Sequence, residues 1–463
     1  MARWPILAFL LASGCSSSLA LDASAPDASA LDASALDAAT ERDAATEPDA
    51  SAPDAASAGA DAAGLAAIAA GGPREADAAA AEDASDATDA DGGAPADAGE
   101  MERCAPRPFG PEVSTPSAAT SPTDYGSVGP LAVQLSTDVP SPSWPDHPGT
   151  VARPANLDPY PVLFYAHAYG GTDPTHIEQM LRRLASNGYN VVFIPYRTTG
   201  SRTEQYDTLW NGFLSAVAQY GARFDLSRVG FFGHSFGGGA SPELARRAFA
   251  DPQANGLPDA WGTNGRFVLS MAPWYSYPNL KQPTATNDNY QSLPLDTKVI
   301  IQVFADDDTN DHLIALHDIW EKLPVGLVDK SWQLIHSDGC NGQWLNAGHS
   351  VPATFNGMPV GSGYNAHDVW AVARRILALA DYSFHGGGAS ARAIAFPRSE
   401  AERSMGSWVD CGGRPIVPLE ASETTPIFSG CSGGGGVGTR GYVFDYSPDA
   451  HCRFADQGAP LCR

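Results

Sequence analysis

A serine hydroxyl is a poor nucleophile at neutral pH unless an oriented imidazole takes its proton. The stretch suited to that chemistry is Gly233-His234-Ser235-Phe236-Gly237, between the apolar run Val229 to Phe232 and the helix-like Pro242-Glu243-Leu244-Ala245-Arg246-Arg247-Ala248. A sharp turn between strand and helix lifts a serine above a sheet, and glycines flank it because a Cβ there would strike the neighbouring chain. A second Gly-x-Ser-x-Gly, Gly430 to Gly434, has no strand pattern before it and a glycine run after it. Context therefore selects Ser235.

The partners should follow the serine in chain order, an acid and then a histidine, on loops after later strands. Past the apolar run Lys298 to Phe304 lie Asp306, Asp307, Asp308 and Asp311. Spacing alone admits any of the four, and at least three must be solvated carboxylates or caps of the next helix. The later histidines with a plausible position are His336, His349 and His367, and His349 leads because Asn346 to Pro352 reads as a loop. His312 and His317 fall in a helical pattern and read as structural, while His167 and His176 precede the serine. Charge developing on the substrate oxygen needs two backbone N–H groups. One is expected from Phe236 and the other from the loop His167-Ala168-Tyr169-Gly170-Gly171.

The elements that must hold these residues alternate. Strand runs at Val162 to Ala166, Val191 to Ile194, Val229 to Phe232, Arg266 to Met271, Lys298 to Phe304 and Trp332 to Ile335 are separated by helical patterns. Those patterns cover Ile177 to Asn187, Tyr206 to Tyr220, His312 to Lys322 and, after the last strand, Val369 to Ala380. Apolar strands alternating with amphipathic helices predict a mostly parallel sheet covered on both faces, the α/β class, as in the α/β-hydrolase fold.

Four regions are expected. Residues 1–20 read as an export signal, with Arg3, a short apolar core and small residues before Cys15, and resemble a bacterial lipoprotein signal that would lipidate Cys15. Cleavage after Ser18-Leu19-Ala20 is the competing reading. Residues 21–103 are an Asp/Ala-rich tether. From Leu21 to Glu100 there are 19 acidic and 2 basic residues, 17 of the 25 net negative charges. With no aromatic residue to repay ordering, this tract is predicted to be disordered. As a coil of about 80 residues it would span roughly 50 Å. The acidity argues against nucleic-acid binding. Residues 104–384 should form the hydrolase domain, and residues 385–463 a Cys- and Gly-rich extension. Cys104, Cys340, Cys411, Cys431, Cys452 and Cys462, an even number behind an export signal, point to disulfides in an oxidising compartment, with the pairing open. No cysteine or histidine spacing suggests a metal.

Gly233-His234-Ser235-Phe236-Gly237-Gly238-Gly239 resembles the Gly-His-Ser-Met-Gly-Gly-Gly elbow of bacterial polyester hydrolases, the cutinase-like, PET-degrading group related to dienelactone hydrolases. Leu184-Ala185-Ser186-Asn187-Gly188-Tyr189 resembles that group's Leu-Ala-Ser-Gln-Gly-Phe, and Ala305-Asp306-Asp307-Asp308-Thr309 its Ala-Asp-x-Asp-Thr. The resemblance, over about Val162 to Pro352, implies Asp308 as the acid, His349 as the base and Tyr169 as the second oxyanion donor. It also implies Trp274 at the acyl site, and His234, beside the nucleophile, is expected with it at the substrate. The chain departs from the group at Phe236, at Ala168, in a longer loop from Ser337 to Gly348 and in a longer segment from Tyr275 to Pro294. The expectation is a secreted or surface-anchored serine hydrolase of small or polymeric carboxylic esters. It needs no cofactor and meets a membrane only through Cys15. A surface-binding lipoprotein on the same scaffold and an acyltransferase with the same residues are the alternatives.

Overall fold

Short apolar runs with β-branched and aromatic residues become strands buried on both faces when helices cover the sheet. A computed structural model describes residues 119–199, 202–274, 289–307, 310, 312–352 and 364–427. The expected signal, Cys15, the tether and Asp308 lie outside the described residues, as do Cys104, Cys431, Cys452 and Cys462. In chain order the elements are β1 (Val133–Val139), β2 (Gly149–Pro154), β3 (Tyr160–Ala166), α1 (Glu178–Ser186), β4 (Asn190–Phe193), α2 (Arg202–Tyr220) and β5 (Phe224–His234). They continue with α3 (Phe236–Phe249), β6 (Arg266–Met271), β7 (Lys298–Phe304), α4 (His312–Ile314), β8 (Lys330–Ile335), β9 (Asp338–Cys340) and β10 (Gln343–Leu345). Last come α5 (Arg374–Phe384), α6 (Gly388–Ala395) and β11 (Glu420–Ser422).

Nine strands form one mixed sheet in the order β1-β2-β4-β3-β5-β6-β7-β8-β11, and β9 and β10 form a separate hairpin. The pairs from β4 through β3 to β8 are parallel. β1, β2 and β11 close the edges by antiparallel pairing. The architecture is α/β. Side chains alternate across it: Leu163 and Tyr165 of β3 enter one core with Met180, Leu184 and Ile376, while Val162 and Phe164 enter the other with Leu209, Phe213 and Leu244. Among the described residues no helix is long and apolar enough to cross a membrane.

The core does not stop at the expected boundary, Phe384. Met405, Trp408, Ile416 and Leu419 are buried on the same face as α1 and α5. Arg375, fully buried, donates to the carbonyls of Ile394, Glu402 and Ser404, so it ties this segment to α5. Burial, with the Arg374 charge beside it, brings the guanidinium down to about 9. The helix expected over His312 to Lys322 is also irregular, passing from α4 into a π turn at Ala315–Ile319 and a 3-10 turn at Trp320–Lys322.

The helix after Ser235 was expected from Pro242 but begins at Phe236, so Pro242 lies inside it. Proline has no N–H for the carbonyl four residues back, that of Gly238. The hydroxyl of Ser270 on β6 donates to that carbonyl instead, at 2.7 Å in a buried setting. Ser270→Ala should therefore cost about 1–3 kcal/mol, the penalty of a buried carbonyl without a donor. In a Pro242→Ala background the helix N–H can take over, and the cost of Ser270→Ala should shrink. Urea unfolding of the four-member cycle checks this, and strict additivity would contradict it.

Candidate active site

β5 ends at His234 and α3 begins at Phe236, which leaves Ser235 as the whole connection. Its backbone has φ 56° and ψ −119°, a region that costs a non-glycine residue about 1–3 kcal/mol. Three backbone bonds hold it: its N–H to the Met271 carbonyl at 2.9 Å, and its carbonyl accepting from Gly239 at 3.0 Å and Trp274 at 2.9 Å. A Cβ on Gly233 would lie 2.2 Å from the Gly237 carbonyl oxygen, and one on Gly237 would lie 1.9 Å from that of Ala166. The motif's glycines are thus a steric requirement of β5, α3 and β3 meeting at one point.

Ser235 Oγ donates to His349 Nε2 at 2.9 Å, and His349 Nδ1 donates to Asp307 Oδ2 at 3.0 Å. His349 is the histidine that loop position favoured. The carboxylate on it is that of Asp307, whereas the resemblance pointed one residue further, to Asp308. The reason is a tight turn at the end of β7, where the Asp307 N–H bonds the Phe304 carbonyl at 3.0 Å. Asp306 N–H then bonds the Ala347 carbonyl at 2.9 Å, joining the acid loop to the histidine loop. Asp307 is 1% exposed, and its second oxygen accepts from the Asn310 N–H at 2.9 Å. Asn310 in turn donates through its side chain to the Ala272 carbonyl at 2.6 Å, where the backbone again takes a positive φ, 41°. Nothing in the sequence marked Asn310, since an Asn after a run of Asp reads as loop.

The other histidines hold walls. His167 is buried, donates through Nδ1 to the Ala168 carbonyl at 2.7 Å and accepts from the Tyr196 N–H at 3.3 Å. That fixes the loop leading to Tyr169, a role that position relative to the serine in the sequence does not reveal. His367 donates to the Asn346 carbonyl at 3.3 Å, three residues before His349. His336 bonds Glu420 at 2.7 Å across the β8–β11 edge. His312 donates to the Phe304 carbonyl at 2.9 Å beneath the acid loop. His234, expected at the substrate, is fully buried, and its ring packs 4.9 Å from that of His349, so it backs the imidazole rather than facing a ligand.

Tyr169 is partly exposed, its hydroxyl donating to the Thr198 carbonyl at 2.5 Å. Its ring meets Trp274 edge-on at 5.5 Å and Phe236 at 6.1 Å, so three aromatic side chains surround the serine turn. Phe236 is also the first residue of α3, and the N–H groups of a helix's first turn have no intrahelical acceptor. The positive end of the helix dipole therefore stands beside the Ser235 hydroxyl. The expected segment Tyr275 to Pro294 lies partly outside the described residues.

These features define a serine hydrogen-bonded to a histidine, which is bonded in turn to an aspartate, at the C-terminal edge of an α/β sheet. The chain is 27% identical over 157 residues to Cutinase 1 of Thermobifida cellulosilytica and, over the same length, to a cutinase of Thermobifida fusca (strain YX). The matches take in 33% of this chain and 50% and 44% of the two relatives, so the chain spans about half the length of the curated relatives it matches. No protein-family model matches the chain.

Burial sets a pH response. Desolvation pushes His167 and His367 down to about 4, and desolvation with the neighbouring His349 pushes His234 down to about 3. Desolvation raises the buried Asp368 carboxyl to about 8, although the Asn365 N–H bonds it at 2.7 Å. Below pH 6.5 the unfolded chain protonates all three histidines before the folded one does, which lowers stability. Asp368 opposes this with one proton held by the folded state between its ordinary value and 8. Net, two protons favour unfolding, about 3 kcal/mol per pH unit at the steepest. Of these four groups only Asp368 acts between pH 6.5 and 8, and its contribution to stability falls as pH rises. The melting temperature should therefore peak near the ordinary histidine pKa, about 6.5, and drop towards pH 4. A profile flat or rising down to pH 4 would contradict these assignments, and Asp368→Asn should remove the alkaline decline.

Proposed function

We propose that the protein is a serine hydrolase of carboxylic esters built on an α/β-hydrolase fold. The observation that carries this reading is the pair of bonds from His349 to Ser235 and Asp307, formed at a turn that costs backbone energy. The similarity to cutinases supports the ester as the bond attacked.

In this mechanism Ser235 Oγ attacks the acyl carbon while His349 Nε2 takes its proton. The carbonyl π electrons move to oxygen, and the resulting anion is held by the N–H groups of Phe236 and Tyr169. The tetrahedral species collapses as His349 returns the proton to the leaving alcohol, which leaves an acyl group on Ser235. A water molecule, deprotonated by His349, then releases the acid and restores the serine. Asp307 keeps the proton on Nδ1, so that Nε2 is free to accept, and stabilises the imidazolium formed at each step. The acyl group is bound against Trp274 and the edge of Tyr169, which suits apolar and aromatic acids, including those of a polyester surface.

The protein is exported and held outside the inner membrane, by a lipid on Cys15 where the signal is of lipoprotein type. Residues 21–103 then serve as a spacer between that anchor and the enzyme. The Cys340–Cys411 disulfide supports an oxidising compartment.

Steady-state hydrolysis of p-nitrophenyl acetate and butyrate by the full chain tests the reading. Ser235→Ala and His349→Ala should abolish turnover, and Asp307→Asn should lose up to ~10⁴ in kcat, because the imidazole is then held in the wrong tautomer. Asp306→Asn and His336→Ala should keep most activity. Equal rates in Asp307→Asn and the unmodified protein would overturn the assignment of the acid.

A further inference from the structure

Between β8 and His349 the chain makes an excursion, the β9–β10 hairpin, whose two ends flank the base. β10 ends at Leu345, four residues before His349, and Ser337, just before β9, accepts the Ala347 N–H through Oγ at 2.7 Å. Whatever fixes this hairpin fixes the loop that carries the imidazole.

The hairpin has little sheet to lean on, since it pairs only with itself. It is gripped instead by residues 406–417, beyond the region that resembles other hydrolases. Asp338, 6% exposed, is the centre of the grip. One carboxylate oxygen accepts from the Arg414 guanidinium at 2.8 Å and the Gly339 N–H at 2.7 Å. The other accepts from the Trp408 indole N–H at 2.9 Å and the Val417 N–H at 3.1 Å. Arg414 also donates to the Gly339 carbonyl at 2.8 Å, Asn341 donates to the Asp410 carbonyl at 3.1 Å, and Cys340 is disulfide-bonded to Cys411. The gripping segment is itself closed, by Ile416 N–H to the Gly406 carbonyl at 2.9 Å and Trp408 N–H to that of Arg414 at 2.8 Å. Trp408 is fully buried, so the segment is anchored in the core and not laid on the surface. All four donors on this buried carboxylate come from the hairpin or from this segment.

We propose that residues 406–417 are a built-in buttress for the base, with Asp338 the positioning residue through which they hold the His349 loop in register with Ser235. The proposal rests on the ester-hydrolase reading for its kinetic consequence, though not for its structural one. Displacing a catalytic group by even 1 Å costs rate and leaves binding of a small substrate nearly unchanged.

The test uses the full chain with Asp338→Asn, Trp408→Phe and the milder Arg414→Ala, whose side chain is 43% exposed. Glu423→Gln is the control, because it removes ion pairs of the same extension to Arg392 and Arg398. Melting temperature, kcat and KM on p-nitrophenyl acetate, and amide hydrogen exchange of peptides covering residues 343–352 are measured for each. For Asp338→Asn and Trp408→Phe kcat should fall roughly tenfold to a hundredfold, with KM within about twofold. Arg414→Ala should follow in the same direction, and exchange over 343–352 should quicken in all three while that of β3 does not. Glu423→Gln should lose stability alone. Should Asp338→Asn fail to fold, Trp408→Phe and Arg414→Ala decide. Unchanged kcat and exchange in folded Trp408→Phe and Arg414→Ala would overturn the proposal, as would an equal kcat loss in the control. If the unmodified protein hydrolyses no ester, the functional reading falls, and exchange over 343–352 still decides whether the buttress exists.

Discussion

Everything at the site depends on how closely three backbones meet around Ser235. A methyl group at residue 237 would sit 1.9 Å from a main-chain oxygen of β3, and no side-chain movement can relieve a clash between two backbones. Only glycine lets α3 start at once after β5. That abrupt start forces the positive φ of Ser235, leaves the N–H of Phe236 without a helical partner and aims both the hydroxyl and the helix dipole at the same point. The strain is held because Ser235 is bound on both its N–H and its carbonyl to neighbouring segments.

The remaining geometry is a matter of bringing two loops to that point. The acid loop and the histidine loop are joined to each other by the bond from Asp306 to Ala347 and by that from His349 to Asp307. Around them His167, His234 and His367 are buried and held neutral well below the pH at which histidine usually charges. Neutrality matters for the electrostatics, because a cation at His234, against His349, would oppose the imidazolium of the proposed reaction.

The inner sheet was legible because its strands are continuous apolar runs: β6 and β7 begin and end where the sequence reading put them. The edges were not. β1 reads Val-Gln-Leu-Ser-Thr-Asp-Val, half polar, and β11 is Glu-Ala-Ser, which has no hydrophobic signal at all. Such strands are decided by tertiary pairing rather than by their own residues. The place of Ser235 between a strand and a helix was legible from its context, as was the loop that carries His349. The choice among four aspartates was not, because it turns on where a β-turn closes after Phe304, and a one-residue difference there leaves no mark on composition. His234 misled because it is the last residue of β5 and fully buried there, whereas Ser235 alone forms the turn that follows. The Cys-rich tail looked separable since its anchors, Trp408 and Arg414, are isolated residues in a glycine-rich stretch.

The central claim is that Ser235 is an activated nucleophile, and covalent labelling tests it without any assumption about the substrate. The full chain is treated with a fluorophosphonate, and intact mass and peptide mapping follow the adduct over time. The account expects one phosphonyl group per chain, on Ser235, forming far more slowly in Asp307→Asn and not at all in His349→Ala. A folded protein that takes up no label, or one labelled equally fast without His349, would contradict it.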